Sequence, residues 1–139
     1  MRTLNFKKLD PAARVPVRGS EYAMGYDLSF YKVSINAKTV DYHTGLAVEI
    51  PQGYGGFLIP RSSVGIKGLR LANTTGAIDS DYRGEIVIKT DKDSEFEIPE
   101  YGDRIAQLII TPVLQLPIDI VDELSDTSRG TGGFGSSGR

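Results

Sequence analysis

Apolar residues in this chain come in short runs that end at Gly, Pro, Asn or Asp, and spacing at 3.6 residues is nearly absent. A helix needs an apolar stripe sustained over several turns, whereas a strand needs only about four to eight residues. The runs at 3–7, 25–30, 32–35, 44–50, 55–59, 69–72, 84–90, 96–98, 103–112 and 118–121 are therefore expected strands. Within Glu85–Ile86–Val87–Ile88–Lys89 the two isoleucines alternate with their neighbours, as in a half-buried strand. Pro16, Pro51, Pro60, Pro99, Pro112 and Pro117 fall at run edges, where a missing N–H is tolerated. Many short strands with frequent turn signals predict an all-β fold, a β-sandwich or jelly roll. One brief helix is expected after Ser62–Ser63, cut short by Gly65 and Gly68. The acidic stretch 91–103 reads as a solvated hairpin, and His43 as a loop residue.

At 139 residues the chain makes one domain. Its net charge of −2 gives no field for duplex nucleic acid, so an anionic ligand must be held by a few placed cations. The chain has no cysteine for a disulfide or thiolate site, and the single histidine cannot build a zinc site of the usual kind. No apolar run reaches the ~20 residues that cross a membrane, and residues 1–8 lack a signal-peptide h-region. The simplest compartment is the cytoplasm. Residues 1–128 are read as the β domain and 129–139 as a flexible tail. That tail holds five glycines, three Ser/Thr and one large apolar residue, Phe134, too little to offset its ordering entropy.

Several residues could handle phosphate. Arg61 offers a planar fork, Ser62 a hydroxyl followed by backbone N–H groups, and Arg129 a further cation. The tail glycines allow N–H groups to close on an anion. Gln107 could donate to phosphate or be a buried amide bonded to backbone. Asp79 and Asp81 are two apart, so an extended segment would place them on one face. Turn acids, however, commonly serve as Asx-turn formers. Gly130-x-Gly132-x-x-Gly135 matches the dinucleotide fingerprint literally but follows no βαβ strand, so it fails in context. Gly65–Ile66–Lys67–Gly68 lacks the ending of a P-loop, and Asn73–Thr74–Thr75 is a sequon without a secretory signal.

Five motifs in order change the weight of these residues. They are Ala23–Met24–Gly25–Tyr26–Asp27–Leu28, Pro60–Arg61–Ser62–Ser63, Gly76–Ala77–Ile78–Asp79–Ser80–Asp81–Tyr82–Arg83–Gly84, Gly102–Asp103–Arg104–Ile105–Ala106–Gln107–Leu108 and Arg129–Gly130–Thr131–Gly132–Gly133–Phe134–Gly135. From about residue 20 to the C-terminus the chain resembles the trimeric deoxyuridine triphosphatases (dUTPases), which cut dUTP to dUMP and diphosphate. The resemblance implies a distorted jelly roll, a homotrimer with shared sites, and a role in keeping uracil out of DNA while supplying dUMP.

By position, the resemblance makes Asp79 the carboxylate that activates water for attack on the α-phosphorus, with Asp81 bracing the turn. Tyr82 packs against the deoxyribose, and Asn73 opens the hairpin that reads uracil beside Gly76. Arg61, Ser62, Ser63, Gln107 and Arg129 bind phosphate, with Gly135 and Ser136 closing over it. Phe134 stacks on uracil, and Asp27 supports the site through an ordered network. Mg²⁺ is implied by the substrate and is held by phosphates and water, with no direct protein ligand. Ser63 departs from the glycine often found at that place. The related dCTP deaminases would need a group to activate water at the base, and no residue set for it is present. A catalytically idle nucleotide sensor or partner-binding protein on the same scaffold is the rival of a different class. Its discriminating feature is turnover itself.

Overall fold

The computed structural model describes residues 3–93 and 95–138, and it is nearly all strand. The elements are β1 (Asn5–Lys8), β2 (Gly25–Ser29), β3 (Lys32–Ile35), β4 (Thr39–His43), β5 (Leu46–Glu49), β6 (Tyr54–Pro60), α1 (Ser62–Ile66), β7 (Gly76–Ile78), β8 (Val87–Asp91) and β9 (Arg104–Pro112). They form three antiparallel sheets ordered β2-β9-β6-β7, β3-β4-β8 and β1-β5. Leu28, Leu58, Ile105 and Leu108 from the first sheet meet Tyr42 and Ile88 from the second and Leu46 and Val48 from the third in one core. This is the expected jelly-roll sandwich. Among the described residues no helix is long and apolar enough to cross a membrane.

The apolar runs that became strands are those with a partner. Ile86 and Ile88 are buried, as their alternation predicted, although β8 itself starts only at Val87. The short helix falls where the sequence placed it. Three expected strands do not form among the described residues. Residues 69–72 contribute only a bridge from Leu71 to Thr90. Residues 96–98 and 118–121 are irregular, and the acidic segment 91–103 shows no hairpin. Conversely, β4 and β7 were not expected.

β4 escaped notice because its interior is charged. Asp41 is buried, yet it accepts from Asn36 Nδ2 and Thr39 Oγ1 at 2.8 Å each and pairs with Lys89. Burial alone would raise the Asp41 carboxyl. Hydrogen bonds from Lys89 and Thr39, with the Lys89 charge, outweigh it and hold the group below its usual range. A depressed carboxylate stabilises the fold above its unfolded pKa of about 4, and that contribution is lost as pH falls through the folded value. Asp41→Asn, which mimics the protonated acid, is expected to cost about 1.5–3 kcal/mol at pH 7. Urea denaturation over a pH series checks this. The difference from the parent should close below pH ~4, and a difference that is flat with pH would refute it.

Beyond β9 the contacts stop. Val113 N–H donates to the Gly53 carbonyl at 2.9 Å. From there to residue 138 the described chain makes no hydrogen bond or ion pair with the body. Leu114, Leu116, Ile118, Ile120 and Leu124 are each 70% exposed or more. The first four alternate, the pattern of a strand with one apolar face. The end of this run, 118–121, reads as a strand from sequence and yet has no strand partner among the described residues.

Candidate active site

Charged groups gather at two ends of β6. At its C-terminal end Pro60 hands the chain to Arg61, whose N–H bonds the Ile105 carbonyl at 3.2 Å. Opposite, β2 and β9 pair so that Asp27 faces Gln107. The nearly buried Asp27 carboxylate lies 3.2 Å from Arg61 Nε and 3.3 Å from Arg104 Nη1. Arg61 Nη1 also donates to the Arg104 carbonyl at 3.1 Å. One carboxylate between two guanidinium groups fixes both forks and leaves one net positive charge, an arrangement suited to a phosphate. A cleft of about 500 Å³ opens there, lined by Arg61, Ser63, Lys67 and Arg104 and also by Glu97, Glu100 and Asp103, so its far wall is acidic. Ser62 and Ser63 lie exposed in the first turn of α1, where N–H groups have no intrahelical partner.

Gln107 is half-buried on β9 beside Gly25 of β2. A Cβ on Gly25 would lie 3.0 Å from the Gln107 Cβ and collide with its amide oxygen. Glycine is therefore required for close approach, and it leaves the Gln107 amide room to lie across the strand. Arg104 stands inside the fourth motif, but nothing in the sequence distinguished it from a surface cation. Its role as the second counterion of Asp27 depends on a pairing between distant strands.

The third motif lies at the other end. β7 pairs with β6 so that Gly76 faces Leu58 and Ile78 faces Gly56. Asp79 then leaves the sheet near Gly55, and the turn closes through Tyr82 N–H to the Asp79 carbonyl at 3.1 Å. Asp79 and Asp81 thus lie in a tight turn instead of sharing a face of an extended segment. Elsewhere an Asx contact is explicit, in the Asp10 and Asp91 carboxylates that accept the N–H two residues on, while the Asp103 carboxylate accepts the Glu100 N–H behind it. The Asp79 turn closes without the Asp79 carboxylate, through backbone and the Arg83 guanidinium on the Ser80 carbonyl at 2.7 Å. Its exposed carboxylate has no hydrogen-bond or ion-pair partner among the described residues. Asn73, Gly76, Asp79 and Tyr82 line one cleft of about 270 Å³ with Glu85. The structure thus brings together these four sequence-marked residues.

The tail joins neither group. Arg129, Phe134, Gly135 and Ser136 fold into their own succession of turns, with Arg129 Nε donating to the Gly132 carbonyl at 2.7 Å. Phe134 is fully exposed at a positive φ of 52°. His43 is not a loop residue. It ends β4, where its ring meets Ser34 and Glu85.

Antiparallel sheets closed over one core, with charge gathered at strand ends and an unattached glycine-rich tail, define an all-β protein of jelly-roll type. The dUTPase family model matches residues 12–138. The deoxyuridine 5'-triphosphate nucleotidohydrolase of Nautilia profundicola is 45% identical over 98% of this chain and 99% of its own length. That of Escherichia phage T5 is 44% identical over 89% and 91%. The solved Staphylococcus bacteriophage 80alpha dUTPase with dUPNHPP superposes with a TM-score of 0.85 at 31% identity, covering all of both chains. The chain belongs to the dUTPase family.

Proposed function

We propose that this chain is a dUTP diphosphatase, acting in the cytoplasm as a homotrimer with shared sites, and hydrolysing dUTP to dUMP and diphosphate by attack of water on the α-phosphorus. The observation that carries this is the free Asp79 carboxylate at the mouth of a cleft sized for a nucleoside, in a chain of this family. A carboxylate without a structural partner is available to accept a proton from water. Tyr82 forms one wall of the cleft beside Asn73 and Gly76, where a ring against C2′ would leave no room for a ribose hydroxyl. Unpaired polar groups in so small a cleft reject the wrong base.

Arg61, Ser62, Ser63 and Gln107 then hold the phosphates, and Asp27 with Arg104 keeps the Arg61 fork aimed. Within one chain these groups cannot serve Asp79. Gly55, beside Asp79 on β6, and Arg61, just past its end, are six residues apart, about 20 Å at 3.3 Å per residue. Reacting atoms must come within about 3.5 Å. Each site is therefore completed by other copies, and closed threefold symmetry gives every copy the same surroundings. The unpaired arm supports this reading. Burying its five large apolar side chains on a neighbour would contribute about 7–15 kcal/mol before ordering costs. That docking would carry the tail, with Arg129, Phe134, Gly135 and Ser136, to a neighbouring cleft.

No three His, Cys, Asp or Glu side chains converge on a metal position among the described residues. Mg²⁺ keeps several waters and favours phosphate oxygens, so it would enter with the triphosphate. When bound, it neutralises charge and orders the triphosphate.

Product analysis with dUTP, dTTP, dCTP and UTP tests the proposal. Diphosphate is expected from dUTP alone at an appreciable rate. Orthophosphate as first product would place attack at the γ-phosphorus and sink the mechanism. Tight dUTP binding without turnover would make the chain an idle sensor on the dUTPase scaffold.

A further inference from the structure

Tyr82 is folded back over its own chain. A Cβ on Gly84 would lie 2.6 Å from the Tyr82 Cζ and would collide with its hydroxyl, so only glycine lets the ring lie there. The ring is then tied at its far end, where the Tyr82 hydroxyl donates to the Glu85 carbonyl at 2.8 Å. A phenol anchored to backbone is only as fixed as that backbone.

Glu85 is fixed from its side chain. One carboxylate oxygen accepts the Gly45 N–H at 2.9 Å, and the other lies 3.1 Å from His43 Nδ1. A carboxylate only accepts, so Nδ1 is the donor. The other ring nitrogen, Nε2, lies 2.6 Å from the Ser34 hydroxyl. Glu85 and His43 are both mostly buried, at 25% and 20% side-chain exposure, where such bonds are less screened than at the surface. The next residue is tied to the same loop: the Thr44 hydroxyl donates to the Ile86 carbonyl at 2.7 Å, and Ile86 N–H donates to the Leu46 carbonyl at 2.8 Å. A continuous path therefore runs from Ser34 on β3 through His43 on β4 to Glu85 and the Tyr82 ring.

We propose that Glu85, clamped by His43 and Gly45, is the positioning residue for the Tyr82 ring and thereby a determinant of selection for 2′-deoxynucleotides. The inference rests on the reading of Tyr82 as the wall beside C2′. A steric filter discriminates only if it cannot swing aside. Phe at position 82 would keep the wall but lose its tether. Ala at position 85 would keep the wall and its partner carbonyl but free the backbone that carries the carbonyl.

The test compares kcat/KM for dUTP and UTP in the full-length protein and in Glu85→Ala, Glu85→Gln, Tyr82→Phe and the Glu85→Ala/Tyr82→Phe double variant, with thermal melts to check folding. The dUTP-to-UTP ratio is expected to fall about tenfold in Glu85→Ala, chiefly through a gain with UTP. A loss of mere structural integrity would slow both nucleotides together. Glu85→Gln, whose amide oxygen still accepts the Gly45 N–H, should keep most of the ratio. Tyr82→Phe should lower the ratio, and the double variant should fall no further than the worse single one, because both act through one tether. A folded Glu85→Ala with an unchanged ratio, or single effects that multiply in the double variant, overturns the inference. Should Glu85→Ala not fold, an unchanged ratio in Tyr82→Phe overturns it equally. A parent protein that leaves dUTP intact overturns the functional reading as well, whereas a selective parent with indifferent variants overturns this inference alone.

Discussion

Asp79→Asn is expected to lower kcat for dUTP by roughly 10²–10⁴-fold, the range for loss of a general base, with dUTP affinity changed only a few-fold. The amide is nearly isosteric and keeps the turn, because that turn closes on the Asp79 carbonyl and not on the side chain. Folding stability should therefore hold. An Asx-turn former would keep both its stability and its turnover, because asparagine makes the same side-chain turn. Asp103, whose carboxylate accepts the Glu100 N–H at 2.8 Å, is the natural control. Asp103→Ala, which removes that acceptor, should weaken its loop without a comparable fall in kcat. Single-turnover kinetics with a binding assay separates the two patterns. Turnover of Asp79→Asn within a few-fold of the parent would move the base elsewhere.

That contrast between two aspartates marks where sequence reading stops. Both stand in turns bounded by glycine, and spacing does not tell which carboxylate is spent on its own backbone. The motifs marked residues that share one neighbourhood: Asn73, Gly76, Asp79 and Tyr82 line one cleft. Arg104 and Glu85 lay within or beside those motifs and drew no role. Their partners, Asp27 and His43, are far away in the chain and meet them only through sheet pairing. The same limit governs the strands. β9, with Ile105, Ala106, Leu108 and Ile109 all buried between two neighbours, is legible because its apolar run is long. β4 is not, because Asp41 and His43 occupy interior positions that only Lys89 and Glu85 make tolerable. β7 has just three residues, too few for any periodicity. Residues 118–121 have the strand pattern but no strand neighbour among the described residues, so their apolar alternation finds no sheet to join there.

Mixed trimers should recover activity from two inactive parents. The first parent is Asp79→Asn. The second is Arg61→Ala, expected to lose about 10²-fold or more in kcat, as for removal of a preorganised donor to a developing charge. Arg61→Ala should still fold, because Asp27 keeps Arg104 at 3.3 Å as its counterion. On one chain the two positions lie at opposite ends of β6, so a working site takes Asp79 from one copy and Arg61 from another. Co-expression at equal levels then gives each site an intact Asp79 with a chance of one half and an intact Arg61 with a chance of one half. About a quarter of all sites in a closed ring are restored, a rise of well over tenfold above either parent. Sites built within single chains would gain nothing, since no chain carries both groups. Native mass spectrometry can confirm hybrid assemblies, and separation on a charge tag can enrich them. Hybrids no more active than their parents would refute shared sites, and with them the reading that the exposed arm carries one copy's tail to the cleft of another.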